Sequence, residues 1–184
     1  MRFLLRMVPA GDLRTTLEIL RRLASTMGGN AVNAKRTSYG ALEVDVFFGS
    51  RQDFDVFIAA LEPLGRVEFY KDLQEPAVFL PKAEAVREAV SLFDAERFWE
   101  AHEVLESLWR VAGGDEKKLL QGLILVCAAF VHLQKDENEV ALGVAKRSLP
   151  LLSWKGDYHG VDVEILRQKI DGIVRSRALS LFEL

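Results

Sequence analysis

The hydrophobic period of this chain changes once, and that change limits the fold more than any other feature. Up to about residue 75, apolar residues alternate between a period of two and a period near 3.6. Beyond the proline-marked stretch "QEPAVFLPK" (74–82) the period is 3.6 throughout. A sheet-bearing segment joined to a purely helical one is the expectation, with domains at 1–75 and 76–184.

In the first segment "RFLLRMV" (2–8) reads as a strand with Phe3, Leu5 and Met7 on one face. A helix follows, opening at Asp12 as N-cap, carrying Leu13, Leu17, Leu20 and Leu23, and stopping at Gly28 and Gly29. "NAVNAKRTSYGALEVDVFFG" predicts two strands turning near Tyr39 and Gly40. Leu42, Val44, Val46 and Phe48 alternate there with Glu43, Asp45 and Phe47. A helix capped by Ser50, with Phe54, Phe57, Ile58 and Leu61 in a row, precedes the last strand, "RVEFYKDL". The order β-α-β-β-α-β is that of a ferredoxin-like α+β domain. Its helices would cover one sheet face and leave the other open, with Arg2, Arg6, Glu43, Asp45, Arg66, Glu68 and Tyr70 outward. The first strand would lie between the third and fourth, so Arg6 would stand among carboxylates as a cross-strand charge ladder. Acidic residues on the third strand are not the aromatic platform on which RNA bases stack.

The second segment predicts an all-helical bundle with helices at about 81–93, 95–112, 116–135, 137–151 and 161–179. The short "AGGDEK" makes its flanking helices antiparallel neighbours. The helix over 116–135 is apolar nearly all round, hence central. Its most hydrophobic run, 119–133, is shorter than the roughly 20 residues needed to cross a bilayer and is broken by Gln121 and His132. "LPLLSWKGDYHG" (149–160) is the one long irregular connection, with Trp154, Tyr158 and His159 read as a lid packed on the bundle.

The sharpest question is posed by "RFWEAHEVLESLWR" (97–110), an amphipathic helix with ionisable groups along its apolar stripe. At 100° per residue, Phe98, Leu105, Trp109 and Ala112 fall within roughly 60° of one another and His102 lies among them. Glu106 is about 40° further round, with Trp99, Glu103 and Arg110 beyond it, while Glu100 points the other way. His102 and Glu106 are an i, i+4 pair whose side chains can touch. Folding the hairpin about Gly114 brings Gln121 within reach of Glu106 or Trp109 and His132 level with Arg97 or Phe98, about one turn from His102. The candidate polar cluster is therefore His102, Glu103, Glu106, Trp109 and Gln121, flanked by His132. As a fixed network it would be fully hydrogen-bonded. As an acid–base site it would use His102 as general base or acid, Glu106 as orienter, and Gln121 or Trp109 to fix substrate. His102 and Glu106 are two ligands where zinc takes three or four, so no metal and no cofactor is expected.

"FDAERFWEAHEVLESLWR", then "LLQGLILVCAAFVHLQ", then "YHGVDV" resembles the small helical family catalogued as domain of unknown function 309. The residues that carry the resemblance are Glu100, Ala101, His102 and Glu103, Glu106 and Trp109, then Leu120, Gln121, Gly122, Leu123, Ile124 and His132, within about residues 85–170. Glu96 stands where members often have glycine, and Leu125 where many have a second polar residue. The resemblance implies an all-helical fold with this polar signature and no established activity. The first 75 residues match no family.

Composition then narrows the partners. A net charge of −3 is not the footprint of a non-specific nucleic-acid binder. One cysteine, Cys127, gives no internal disulfide and suits a reducing compartment. The expectation is a soluble, two-domain cytoplasmic protein that uses neither nucleic acid nor membrane. A small-molecule ligand, a protein partner or a second copy of the chain remain. No glycine-rich phosphate loop, nucleophile elbow or Cys-x-x-Cys occurs. Without a nucleophile or oxyanion donor beside the histidine, a non-enzymatic binding or scaffolding role is preferred, with the acid–base enzyme as alternative.

Overall fold

Strand β1 (Arg2–Pro9) forms an interior strand of a four-stranded antiparallel sheet. It is followed by α1 (Leu13–Thr26), β2 (Asn30–Arg36), β3 (Leu42–Phe47), α2 (Arg51–Ala60), a 3₁₀ turn at Glu62–Leu64, and β4 (Gly65–Asp72). The structure is a computed structural model that describes residues 1–74, 80–178 and 180–184. Two compact units, Met1–Val78 and Phe79–Leu184, make up the chain. The boundary expected at 75/76 lies outside the described residues.

The sheet order is β2-β3-β1-β4, so β1 is flanked by β3 and β4. Its register pairs Arg6 with Glu43 and Leu5 with Val44. Both helix starts follow their cap residues. Asp12 accepts from the Thr15 amide at 2.9 Å and Ser50 from that of Asp53 at 3.1 Å, each satisfying one of the first-turn amides that have no helical partner. Phe3, Leu5, Met7, Val44 and Val46 point to one side and are fully buried with Leu20, Phe54 and Phe57 of the helices. Rings of Phe3 and Phe54 stack at 3.7 Å between centroids.

The second sheet face is open only in part, at Arg66 and Arg2, and not across its centre as the alternation predicts. Arg6, Glu43, Asp45 and Lys35 are all buried. Their charges are compensated within the sheet: Glu43 accepts from Arg6 at 2.7 Å and from Lys35 at 2.5 Å. Asp45 takes Arg2 at 2.6 Å and the Asn33 amide at 3.0 Å. The expected ladder is present, but it is a buried one. Two bulges set which residues join the charged face. In β2 the register shifts between Val32 and Lys35, with Asn33 at φ 52°, and this turns Lys35 onto the charged face. In β4 a shift opposite Arg6 and Met7 makes Glu68 the extra residue. Tyr70 is thereby returned to the core side, edge-on to Phe54 at 5.1 Å, and Phe69 falls under Arg6 at 5.3 Å. Tyr70 is thus not among the residues of the charged face.

The second unit contains α3 (Lys82–Asp94), α4 (Phe98–Val111), α5 (Gly114–Gln134), α6 (Asn138–Ser148) and α7 (Val163–Ser176). Each helix packs chiefly on the next in sequence. The short connections impose this. Glu96, Gly114 and Asp136 take left-handed conformations at φ 55°, 57° and 59°, which reverse the chain within a few residues. The conformation at Glu96 is one that favours glycine, since a side chain there is strained. Helix α5 lies between α4 and α6 and buries Leu119, Leu120, Leu123, Ile124, Phe130 and Val131, as its all-round apolar sequence predicts. Gly122 on α5 lets the chain after α6 approach. A Cβ there would sit 3.0 Å from the Leu152 side chain and 3.1 Å from that of Leu151.

The connection read as irregular contains a short hairpin, β5 (Asp157–Tyr158) with β6 (Val161–Asp162). His159 and Gly160 take positive φ at its turn, and Asp162 caps α7. Buried Tyr158 donates to Glu116 at 2.8 Å, and Lys82 meets the same carboxylate at 2.7 Å. The hairpin is thereby tied to the first turns of α3 and α5. Among the described residues no helix is long and apolar enough to cross a membrane. Burial pushes the Cys127 thiol up to about 12, which makes it inert.

Candidate functional site

Helix α4 packs on both α3 and α5 and therefore buries more than one stripe. Glu100, which helical phase turns away from the apolar residues, is 3% exposed and held by Arg97 through two contacts of 2.7 Å. The i, i+3 spacing of Arg97 and Glu100 was a usable signal for that pair. The phase argument missed it by assuming a single buried side.

On the other side of α4 the geometry is looser. The His102 side chain is 19% exposed, and its ring stacks on Trp99 one turn earlier, with centroids 5.2 Å apart and planes 7° from parallel. Its Nδ1 is shielded from solvent and has no hydrogen-bond partner among the described residues. The Glu103 carboxylate stands 4.0 Å away, beyond hydrogen-bonding range. Glu106 does not orient the imidazole. It meets Arg110 at 3.4 Å instead, in an exposed i, i+4 pair.

His102, Glu103 and Glu106 each place one potential ligand atom within 4.8 Å of the others. Two donors about 2.1 Å from a shared ion lie between ~3.0 and ~4.2 Å apart as their angle opens from 90° to 180°. The 4.0 Å gap between His102 and Glu103 falls in that interval. The Glu103 side chain is 55% exposed and Glu106 33%, which leaves both carboxylates room to change rotamer. Helical phase had put Glu103 outside the stripe, which left two ligands. Its carboxylate makes a third.

The remaining candidates are engaged elsewhere. Trp109 receives the Lys117 ammonium on its ring at 4.3 Å. Gln121 is half-buried on α5, and its side chain makes no hydrogen bond among the described residues. The His132 Nδ1 lies 2.5 Å from Glu137, whose carboxyl this contact holds below its ordinary range. Of the six residues, three therefore converge, and Trp99 joins them where its i, i+3 spacing to His102 had not been weighed. Two shallow clefts in this unit lie at other places. One of about 260 Å³ is lined by Asp115, Ser153, Trp154 and Lys155. Another of about 320 Å³ lies between α7 and residues 182–184.

Comparison with known proteins agrees with the resemblance of the helical half. Residues 86–144 match the family described as Domain of unknown function (DUF309), and the first half has no family assignment. A solved structure of a conserved hypothetical protein from Thermus thermophilus is similar at 31% identity, over 53% of this chain and 99% of that one, with a TM-score of 0.44. No curated protein matches the chain.

Proposed function

We propose, from the premise that the C-terminal half of this chain belongs to DUF309, that the protein is a non-enzymatic binding protein whose site is His102, Glu103 and Glu106 on α4. Its ligand is a divalent cation. The observation that carries this reading is an imidazole nitrogen held out of water with no hydrogen-bond partner among the described residues, in a group whose two carboxylates offer ligand atoms within 4.8 Å. A buried polar atom left unpaired costs about 1–3 kcal/mol, which a purely structural cluster would avoid by closing a hydrogen bond. An acid–base role for His102 would be served by a bonded orienter, and Glu106 pairs with Arg110 instead. For the first unit we read the β-α-β-β-α-β order, with β1 flanked by β3 and β4, as ferredoxin-like. We assign the chain to the cytoplasm on its one cysteine, Cys127, and its lack of disulfides.

Equilibrium dialysis of the full chain against zinc chloride tests the site. One equivalent retained by the parent and lost from a His102→Ala, Glu103→Ala double variant supports the proposal. Equal retention by both, or by neither, overturns it.

A further inference from the structure

The ligand donors of this site differ in how firmly they are held. The Glu103 and Glu106 side chains are 55% and 33% exposed, and each must surrender rotamer freedom to reach a cation. The imidazole is already placed. It is one-fifth exposed, and the parallel Trp99 ring at 5.2 Å fixes its plane. The nitrogen is therefore the one donor whose ordering cost was met on folding. Imidazole donors suit zinc, cobalt, nickel and copper, whereas magnesium and calcium ask for six or more oxygens.

We propose that the Trp99–His102 stack makes the site selective for a borderline transition ion over magnesium and calcium. Trp99 is then a positioning residue that touches no ion. It acts by holding the imidazole where Nδ1 and the Glu103 carboxylate can share one. This inference rests on the cation reading of the site, and it names the class of ion.

The test is titration of the full chain with cobalt chloride, and separately with magnesium and calcium chlorides. It uses the parent, Trp99→Leu, Trp99→Phe and His102→Gln, with circular dichroism confirming the fold of each. The parent is expected to bind one cobalt and to bind magnesium and calcium far more weakly. Trp99→Leu should weaken cobalt roughly two- to twelvefold, the range an aromatic pair supplies, and leave the weak magnesium binding unchanged. Trp99→Phe should recover most of the loss, because it keeps a ring face. At saturating cobalt the quench of indole fluorescence should fall in both Trp99 variants, since only Trp109 and Trp154 remain. If Trp99→Leu does not fold, Trp99→Phe decides by the direction of its cobalt-to-magnesium ratio. A parent that binds no cobalt removes the site reading and this inference together. Cobalt binding that requires His102 while its ratio to magnesium is indifferent to Trp99, or magnesium binding as tight as cobalt, overturns the inference and leaves the site standing.

Discussion

Two sites, one in each unit, treat ionisable groups in opposite ways. In the sheet, Glu43 is 1% exposed and accepts from two cations, Arg6 and Lys35, which are nearly as buried as it is. On α4, His102 keeps a shielded nitrogen with no hydrogen-bond partner among the described residues, while two carboxylates stand within 4.8 Å. A charge closed on its partners organises the fold. A donor left open beside movable partners is arranged for something that comes from outside. The difference gives a physical way to separate structural from binding residues in one chain.

The largest effect should come from breaking the closed network. Glu43→Gln leaves two buried cations facing a neutral amide and should cost about 3–5 kcal/mol in urea unfolding of the first unit. A loss under about 1 kcal/mol would mean that water reaches this face. The Tyr158–Glu116–Lys82 link is a smaller, partly exposed version of the same device, and Tyr158→Phe should cost about 1 kcal/mol. The hydrogen bond from Lys82 is the largest cause holding the Glu116 carboxyl below its ordinary 4.5. A depressed carboxyl contributes stability above its unfolded value, and that contribution is lost as pH falls through the folded one. Lys82→Met should therefore flatten the dependence of stability on pH below about 4.5, read from unfolding midpoints across that window.

Relief of the left-handed strain at residue 96 should act in the other direction. Glu96→Gly is expected to raise stability by roughly 0.5–1 kcal/mol in chemical denaturation. At the open site the expected effect is smallest. Glu106→Ala removes an exposed pair and should change stability by no more than about 0.5 kcal/mol. A loss of 2 kcal/mol there would show the site to be closed like the sheet network, and the contrast between the two sites would fail.

Much of this was legible in the sequence because it depends on period alone. The leucines of α1, the alternation of β3 and the all-round apolar α5 each state which face is buried. The bulges at Asn33 and Glu68 were not legible. A bulge shifts register by one without changing the alternating pattern that surrounds it, so Tyr70 was assigned to the wrong side and Lys35 was not foreseen on the charged face. The site was half legible. Phase placed His102 at the border of core and surface, but a single-stripe picture could not foresee Glu100 buried on a helix with neighbours on two sides. Nor does phase resolve rotamers, which decide that Glu106 meets Arg110 and that Trp99 lies flat on His102. Positions across the α4–α5 hairpin were set by level rather than by contact, and Gln121 and His132 proved to be engaged outside the cluster or unbonded.

The most direct measurement is a crystal structure of the full chain grown with zinc, with an anomalous difference map recorded at the zinc edge. The account predicts a peak about 2.0–2.1 Å from the His102 Nδ1 and within bonding distance of the Glu103 carboxylate. A map empty at that place, with the same nitrogen closed in a hydrogen bond to the protein, would contradict it.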